Sequence, residues 1–199
     1  MLKIAVLVSG SGTNLQAIID AIVRGDINGE IVKVISSRSK AYALERADDH
    51  GIVREFIGAK SERTILQAVQ ESGAELVVTA GFLKVLPPEF VEAYKDRIIN
   101  VHPSLIPAFC GIGFYGLRVH EEVIRAGVKV TGATVHFVDE GCDSGPIIAQ
   151  RAVKVKEDDT PESLQKRVMQ EAEWPLLAEV IGLIADGRIT VMNGRVIIR

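Results

Sequence analysis

Short runs rich in valine and isoleucine alternate with helical patterns through the first hundred residues, and this alternation limits the fold more than any other feature. Such runs are typical of central strands in a parallel sheet, because those strands are buried on both faces. Strand, helix and parallel strand form right-handed units, so the pattern predicts an α/β fold: a mostly parallel twisted sheet with helices on both faces. The predicted strands are Lys3–Val8, Ile31–Ser36, Val53–Phe56, Leu76–Ala80 and Ile98–Val101, and the predicted helices are Asn14–Arg24, Ala41–Asp49, Glu62–Ser72 and Pro88–Tyr94.

The pattern changes in the C-terminal half of the chain. Two β-rich runs, Lys129–Val138 and Ile147–Val155, are joined by a stretch of turn residues and follow a short predicted helix, Val119–Ala126. This order predicts an antiparallel strand pair at one side of the sheet.

A long helix is predicted over Pro161–Asp186. Thr160 suits the N-cap, Pro161 suits the first helical position and Gly187 suits the C-terminal stop. The segment Met192–Arg195 contains Asn-Gly and predicts a small terminal hairpin.

Length and composition point to one compact domain over residues 1–199, with halves 1–100 and 101–199. The net charge of −3 gives no reason to expect nucleic acid as the main partner. The segment Met1–Gly10 has only a brief apolar run, which is too short for a transmembrane span and lacks a signal-peptide cleavage pattern. Cys110 and Cys142 form no C-x-x-C pair, which argues against a disulfide scaffold or a zinc site. We therefore expect a cytoplasmic protein without a membrane partner.

The end of the fifth predicted strand carries two polar side chains that can do chemistry. Asn100 and His102 alternate along the strand and therefore share a face, and Pro103 ends the strand. An amide can donate to a developing oxyanion and an imidazole can move a proton. The pair predicts acyl transfer without a covalent nucleophile.

A glycine-rich turn, Ser9–Asn14, follows the first strand and opens the first helix. It lacks the third glycine of the dinucleotide fingerprint and the lysine of a P-loop, so a substrate phosphate is favoured over NAD or ATP. A capped strand-to-helix turn without a ligand is the structural alternative.

The remaining polar candidates are three histidines and an acidic turn. His50, His120 and His136 have no metal-ligand spacing with one another or with His102, so no metal site is predicted. Asp143 lies in a turn that continues as Ser-Gly-Pro; near His102 it would raise the pKa of the imidazole, and otherwise it is an ordinary turn acid.

Four segments in this order resemble the phosphoribosylglycinamide formyltransferase family, folate-dependent enzymes of purine synthesis, over nearly the whole chain. They are Ser9–Gln16, Ala80–Leu86, Asn100–Leu105 and the pair Val135–Val138 with Asp143–Pro146. The resemblance implies a Rossmann-like formyltransferase fold with a phosphate- and nucleotide-binding half at 1–100 and a catalytic and folate-binding half at 101–199.

The resemblance also implies substrates and residue roles. The formyl donor is 10-formyltetrahydrofolate, used as a co-substrate without a metal, and the acceptor is glycinamide ribonucleotide. A monomer or homodimer that binds these small molecules is expected. The implied catalytic residues are Asn100, His102 and Asp143, with Asp143 keeping His102 protonated. The residues implied to bind the ribonucleotide are Gly12, Thr13, Asn14 and Glu173. Those implied to bind the folate are Lys60, Arg63, Leu83, Lys84, Val85, Leu86 and Asn100.

Three departures from the family pattern affect binding rather than the reaction class. The loop Cys110–Gly116 is longer than in many members, Trp174 stands where many carry histidine, and Lys84 stands where arginine is common. Two other functions stay open on the sequence: a formyltetrahydrofolate hydrolase, whose relatives carry an added N-terminal domain, and a noncatalytic phosphate-binding module.

Overall fold

The computed structural model describes residues 1–199, which form two compact units, Met1–Asn100 and Val101–Arg199. None of the helices is both long enough and apolar enough to cross a membrane.

The first unit is built from parallel strands with intervening helices. Its strand order is β3-β2-β1-β4-β5, and every pair in it is parallel. The strands are β1 (Leu2–Val8), β2 (Gly29–Ser36), β3 (Arg54–Phe56), β4 (Leu76–Thr79) and β5 (Ile98–His102), whose last two residues belong to the second unit; the helices are α1 (Thr13–Arg24), α2 (Tyr42–Asp49), α3 (Ile65–Glu71) and α4 (Pro88–Ala93).

The apolar runs form the core of this unit. Residues 4–8 of β1 and all four residues of β4 are buried, and α1 packs one apolar face inward through Leu15, Ile18 and Ile19. The predicted elements of this half are confirmed, with ends that differ by at most three residues. The largest difference is at α3, where Thr64 and Gln67 form a capping box and start the helix later than Glu62.

The second unit contains two long strands, β6 (Val130–Phe137) and β7 (Ile147–Lys154), and ends in a separate hairpin. The pairing of β6 with β7 is antiparallel, so the predicted fold class is confirmed. Its elements are α5 (Leu117–Arg125), β6 (Val130–Phe137), β7 (Ile147–Lys154), α6 (Pro161–Val168), α7 (Trp174–Ala185), β8 (Ile189–Met192) and β9 (Arg195–Ile198).

The predicted long helix has the expected ends but a different middle. Thr160 caps α6 with Ser163 as its partner, and α7 stops before Gly187, as predicted. Between the two α-helices, Met169–Glu173 form a π-helical turn. Pro175 lies in the first turn of α7 and has no N–H for an α-helical bond to an earlier carbonyl, which favours a break in regular winding.

Candidate active site

The carboxyl ends of three strands in the first unit are joined by one serine. The Ser9 hydroxyl, just after β1, lies 2.7 Å from the Ser37 hydroxyl, just after β2. The same oxygen accepts a hydrogen bond from the Leu83 N–H, beyond β4, at 3.0 Å. Ser9 is buried, so this contact fixes the loops at the edge of the sheet where ligands bind in open α/β folds.

The glycine loop between β1 and α1 requires glycine at position 12. Gly12 has a φ of +74°, and a Cβ built there would lie 2.6 Å from the Cβ of Ala43. The left-handed backbone and the close approach of α2 therefore exclude larger residues. No acidic side chain occupies the first turn of α1, so its N-terminus keeps the positive end of the helix dipole.

Helix α2 orients the peptide groups of this loop. The Gly10 carbonyl accepts from the Ala43 N–H at 3.1 Å, and the Ser11 carbonyl accepts from Arg46 Nε at 2.9 Å. Because carbonyl and N–H point in opposite directions across a trans peptide, the N–H groups of Ser11 and Gly12 face away from α2. Arg46 also donates to Gln16 Oε1 at 3.0 Å, which ties α1 to the same guanidinium. The loop thus has the backbone geometry of an anion cradle with a fixed cation behind it.

Asn100, near the end of β5, is oriented by its neighbour on β4. The Thr79 hydroxyl donates to Asn100 Oδ1 at 2.7 Å. With its oxygen accepting this bond, the amide turns its NH₂ group away from Thr79. That group is the donor that a developing oxyanion would need.

His102 ends β5 and is almost fully buried in the second unit, with 4% of its surface exposed. Its Nε2 lies 2.9 Å from the carbonyl oxygen of Phe109. A carbonyl can only accept, so this contact assigns the proton to Nε2. The other ring nitrogen, Nδ1, lies 3.5 Å from Asp143 Oδ2.

Asp143 lies among hydrogen-bond donors in the turn after β6. Its Oδ2 accepts from the Gly111 N–H at 2.9 Å, and its Oδ1 lies 3.6 Å from His136 Nε2. The structure therefore brings one carboxylate close to two buried imidazoles, His102 and His136. Asp143 has a φ of +56°, a conformation that aspartate tolerates better than most residues.

The pKa values of this pair shift in the same direction. Burial alone would raise the pKa of the Asp143 carboxyl, but the contacts with His136, His102 and Gly111 outweigh it and lower the pKa to about 2. Burial lowers the pKa of His102, and the Phe109 carbonyl and the Asp143 charge offset this only in part. Asp143 thus acts in the expected direction and raises the pKa of His102, but the cost of burying a charged ring is larger and lowers the pKa overall; the role of Asp143 in keeping His102 protonated stays a prediction.

His120, to which the sequence assigned no role, is the third buried imidazole of the second unit. It is completely buried on α5, and neither ring nitrogen has a hydrogen-bond partner. Burial, reinforced by the nearby charge of His102, lowers its pKa to about 4. His120 is therefore neutral at neutral pH.

A polar framework holds the loop that follows His102. The Thr134 hydroxyl on β6 donates to the Ser104 carbonyl at 2.7 Å and accepts from the Ile106 N–H at 3.0 Å. Gln150 on β7 donates to the Ile106 carbonyl at 2.9 Å. Sequence reasoning did not select Ser104 or Gln150. Thr134 had one signal, its alternation with His136 along β6.

The other predicted substrate residue of the second unit, Glu173, lies at the end of the π-helical turn and is 7% exposed. The neighbouring Trp174 has a buried indole N–H without a hydrogen-bond partner. Cys110 and Cys142 are free thiols. No cluster of three or more histidine, cysteine, aspartate or glutamate side chains has an arrangement that could hold a metal ion.

The predicted folate residues of the first unit differ in their surroundings. Leu83, Lys84 and Val85 are exposed, whereas Leu86 is buried. Arg63 donates to both carboxylate oxygens of Glu55 at 3.1 Å and also pairs with Glu71. Lys60 is exposed, and it lines a surface hollow with Phe56, Gly58, Ala59 and Ser61.

Comparison with known proteins places this geometry in a family. The model of the formyl transferase family matches residues 2–181. A chloroplastic phosphoribosylglycinamide formyltransferase of Arabidopsis thaliana is 41% identical over 94% of this chain, which spans 66% of the plant protein. The phosphoribosylglycinamide formyltransferase of Haemophilus influenzae is 38% identical over 97% of this chain and 92% of its own length.

Solved structures agree with the sequence relatives. The crystal structure of glycinamide ribonucleotide transformylase 1 from Symbiobacterium toebii superposes with a TM-score of 0.92 at 41% identity, and the match covers 100% of this chain and 94% of that one. The chain therefore belongs to the formyl transferase family and, within it, to the phosphoribosylglycinamide formyltransferases.

Proposed function

We propose that this chain transfers the formyl group of 10-formyltetrahydrofolate to the amine of N1-(5-phospho-D-ribosyl)glycinamide, giving formylglycinamide ribonucleotide and tetrahydrofolate in purine biosynthesis. The observation that carries the chemistry is the contact between buried His102 and partly buried Asp143, 3.5 Å apart, in a chain of this family. Buried titratable groups in contact are the usual means of moving a proton during acyl transfer.

The ribonucleotide phosphate binds at the glycine loop, with contacts from Gly12, Thr13 and Asn14. Support comes from the N–H groups that face away from α2 and from the positive end of the α1 dipole. Arg46 acts as a positioning residue, because its bond to the Ser11 carbonyl holds the loop in this conformation.

The amine attacks the formyl carbon directly, and negative charge develops on the formyl oxygen. Asn100 stabilises this oxygen through its NH₂ group, which Thr79 orients. His102 lies two residues further along the same strand, and alternation along β5 gives the two side chains a common face.

His102 carries the proton from the attacking nitrogen to N10 of the folate. The ring starts neutral, since burial lowers its pKa, and can therefore accept a proton. For this step the Phe109 carbonyl must leave Nε2, after which Asp143 favours the tautomer with hydrogen on Nδ1. Nε2 then takes up the proton, and Asp143 stabilises the resulting imidazolium.

Two further groups of residues bind the rest of the substrates. Glu173 is buried and supplies carboxylate oxygens that can accept from donors of the glycinamide ribonucleotide. The segment Leu83–Leu86 offers backbone groups to the pteridine, and exposed Lys60 pairs with the carboxylates of the folate tail. Arg63 is already paired with two glutamates, which favours Lys60 for this role.

Two further predictions concern the compartment of the protein and its partners. A reducing compartment such as the cytoplasm fits the two free thiols. The partners are then two small molecules, and assembly as a monomer or homodimer stays a prediction.

The test is product identity with both substrates present. We expect mass spectrometry to detect formylglycinamide ribonucleotide, and we expect kcat to fall about 10²–10³-fold in His102→Ala. His50→Ala is the matched control, because His50 is exposed and should leave kcat unchanged. Release of formate without the formylated ribonucleotide would assign the hydrolase activity instead, and parental turnover in His102→Ala would refute the mechanism.

A further inference from the structure

The two cysteines of the chain lie on either side of the Asp143 carboxylate. Cys142 precedes Asp143, and its thiol lies 3.8 Å from Asp143 Oδ2. Cys110 precedes Gly111, whose N–H donates to the same oxygen at 2.9 Å. Two segments that are distant in sequence thus meet at one carboxylate oxygen, and each carries a thiol next to the contact.

Both thiols are free and can be reached by small reagents. The Cys142 residue is exposed, and Cys110 is half-buried with its thiol donating to the Pro107 carbonyl at 3.3 Å. The proposed chemistry assigns neither thiol a task, so a modification here would act on Asp143 and its contacts rather than on a nucleophile.

The surroundings keep both thiols protonated at neutral pH. Burial and the negative charge of Asp143 raise the pKa of the Cys110 thiol. The same two causes and the contact with the Asp143 carboxylate raise the pKa of the Cys142 thiol. Since the thiolate is the reactive form, exchange with a disulfide is slow at neutral pH and faster at alkaline pH.

We propose that Cys110 and Cys142 are a modification site: a small-molecule disulfide oxidises them to a reversible intramolecular disulfide that disturbs the Gly111–Asp143 hydrogen bond and switches the His102–Asp143 pair off. The exposed Cys142 thiolate attacks the small disulfide, forming a mixed disulfide and releasing one small thiol. Cys110 then attacks the Cys142 sulfur and releases the second small thiol. The two cysteine protons end on the two released thiols, and two electrons pass from the protein to the oxidant.

The expected consequence follows from the geometry of the bridge. A disulfide holds its two Cβ atoms about 4 Å apart in a fixed geometry, so it would constrain the segments at 110–111 and 142–143 on either side of Asp143. The hydrogen bond from the Gly111 N–H is the shortest that Asp143 accepts. Because a hydrogen bond to a charged group stabilises its acceptor strongly, its loss should lower kcat by about tenfold or more.

The test uses the full chain with oxidised glutathione at mildly alkaline pH. Peptide mapping of a non-reduced digest should find Cys110 joined to Cys142 with the loss of two hydrogens. The kcat for formyl transfer should fall as the bridge forms and return when dithiothreitol is added. Cys110→Ser and Cys142→Ser are matched controls, since each can form a mixed disulfide but not the bridge.

Two results would overturn the proposal: mixed disulfides without the bridge, or a complete bridge with parental activity. The activity readout rests on the proposed function, so a second readout is needed. The His102 ring should titrate at lower pH by proton NMR in the oxidised protein, because the bridge displaces the carboxylate that favours the charged ring. If the reduced protein transfers no formyl group, the proposed function fails, while mapping and titration still decide the modification site.

Discussion

The glycine loop of the first unit and the His102–Asp143 pair of the second unit are built by opposite means. The loop is made of backbone: two carbonyls are held by α2, and Gly12 is required by its φ and by Ala43. The pair is made of side chains in a nearly dry environment, where one carboxylate faces two imidazoles. The first unit carries one histidine, exposed His50, while the three histidines of the second are buried. Backbone geometry suits binding of a fixed anion, and buried titratable side chains suit proton movement. Substitutions at the loop should therefore change mainly the KM for the ribonucleotide, and substitutions at the pair mainly kcat.

The largest effect on activity is expected from Asp143→Asn, which changes the His102–Asp143 pair. Asparagine keeps the shape but cannot carry the charge that stabilises the His102 imidazolium, so kcat should fall about 10²–10⁴-fold. The KM for the ribonucleotide should stay near its parental value, because the phosphate loop is untouched. Steady-state kinetics with each substrate varied in turn measure both quantities.

Asp139→Asn is the matched control for this change. Asp139 lies in the same turn but accepts from Gly141 and Ser144 rather than facing an imidazole. Its kcat should stay within a few-fold of the parent. Equal losses in the two variants would mean that the turn acts through its fold and not through the Asp143 charge.

The contrast between the two regions also explains what sequence could predict. The glycine loop and the Asn100–His102 alternation are local patterns, so they can be read from neighbouring residues. The pKa of His102 also depends on burial by residues far away in sequence, and this burial outweighs the contribution of Asp143 that the sequence suggested. Arg46 contributes to the loop from a different helix, and no spacing in the sequence connects it with Ser11.

Acid sensitivity should come from the second unit, and His120 tests this. The unfolded chain binds a proton at His120 below its ordinary pKa of 6.5, whereas the folded ring stays neutral until about pH 4. The unfolded state therefore binds more protons in this range, and the free energy of unfolding should fall as the pH is lowered through it. The loss due to His120 should reach about 3 kcal/mol.

Urea unfolding at neutral pH and near pH 4 measures this loss. In His120→Phe the loss on acidification should shrink, and stability at neutral pH should change little, since an apolar ring replaces two unpaired nitrogens. His50→Phe is the control in the first unit and should keep the parental pH dependence. Identical acid losses in the parent and His120→Phe would exclude His120 as the cause.

Arg46→Ala probes the backbone-built region. Removing the donor to the Ser11 carbonyl should loosen the loop and raise the KM for the ribonucleotide about tenfold, as expected for one charge-assisted hydrogen bond, with kcat nearly unchanged. Arg24→Ala is the control, because Arg24 lies at the far end of α1 and pairs with Asp26. A fall in kcat at constant KM would contradict the assignment of phosphate binding to the glycine loop and proton movement to the His102–Asp143 pair.

The π-helical turn at Met169–Glu173 illustrates a further limit of sequence patterns. Caps and stops predicted both ends of the long helix, because they depend on one or two residues. The middle turn contains the buried Glu173, is followed by Pro175 and packs on β6 and β7. Helical periodicity alone cannot distinguish this from regular winding.

The smallest expected effect separates Lys60 from Arg63 at the folate tail. Lys60 is exposed and lies in no ion pair, so Lys60→Ala should raise the KM for the folate about two- to fivefold, as expected for an exposed charge pair. Arg63→Ala should instead lower the midpoint of urea unfolding, because Glu55 and Glu71 lose the cation that pairs with both of them. Lys33 is then the remaining cation paired with Glu55. Lys95→Ala, an exposed lysine after α4, is the control for both measurements. A rise in the folate KM for Arg63→Ala with unchanged stability would reverse the assignment, and it would mean that the charge network opens when the folate binds.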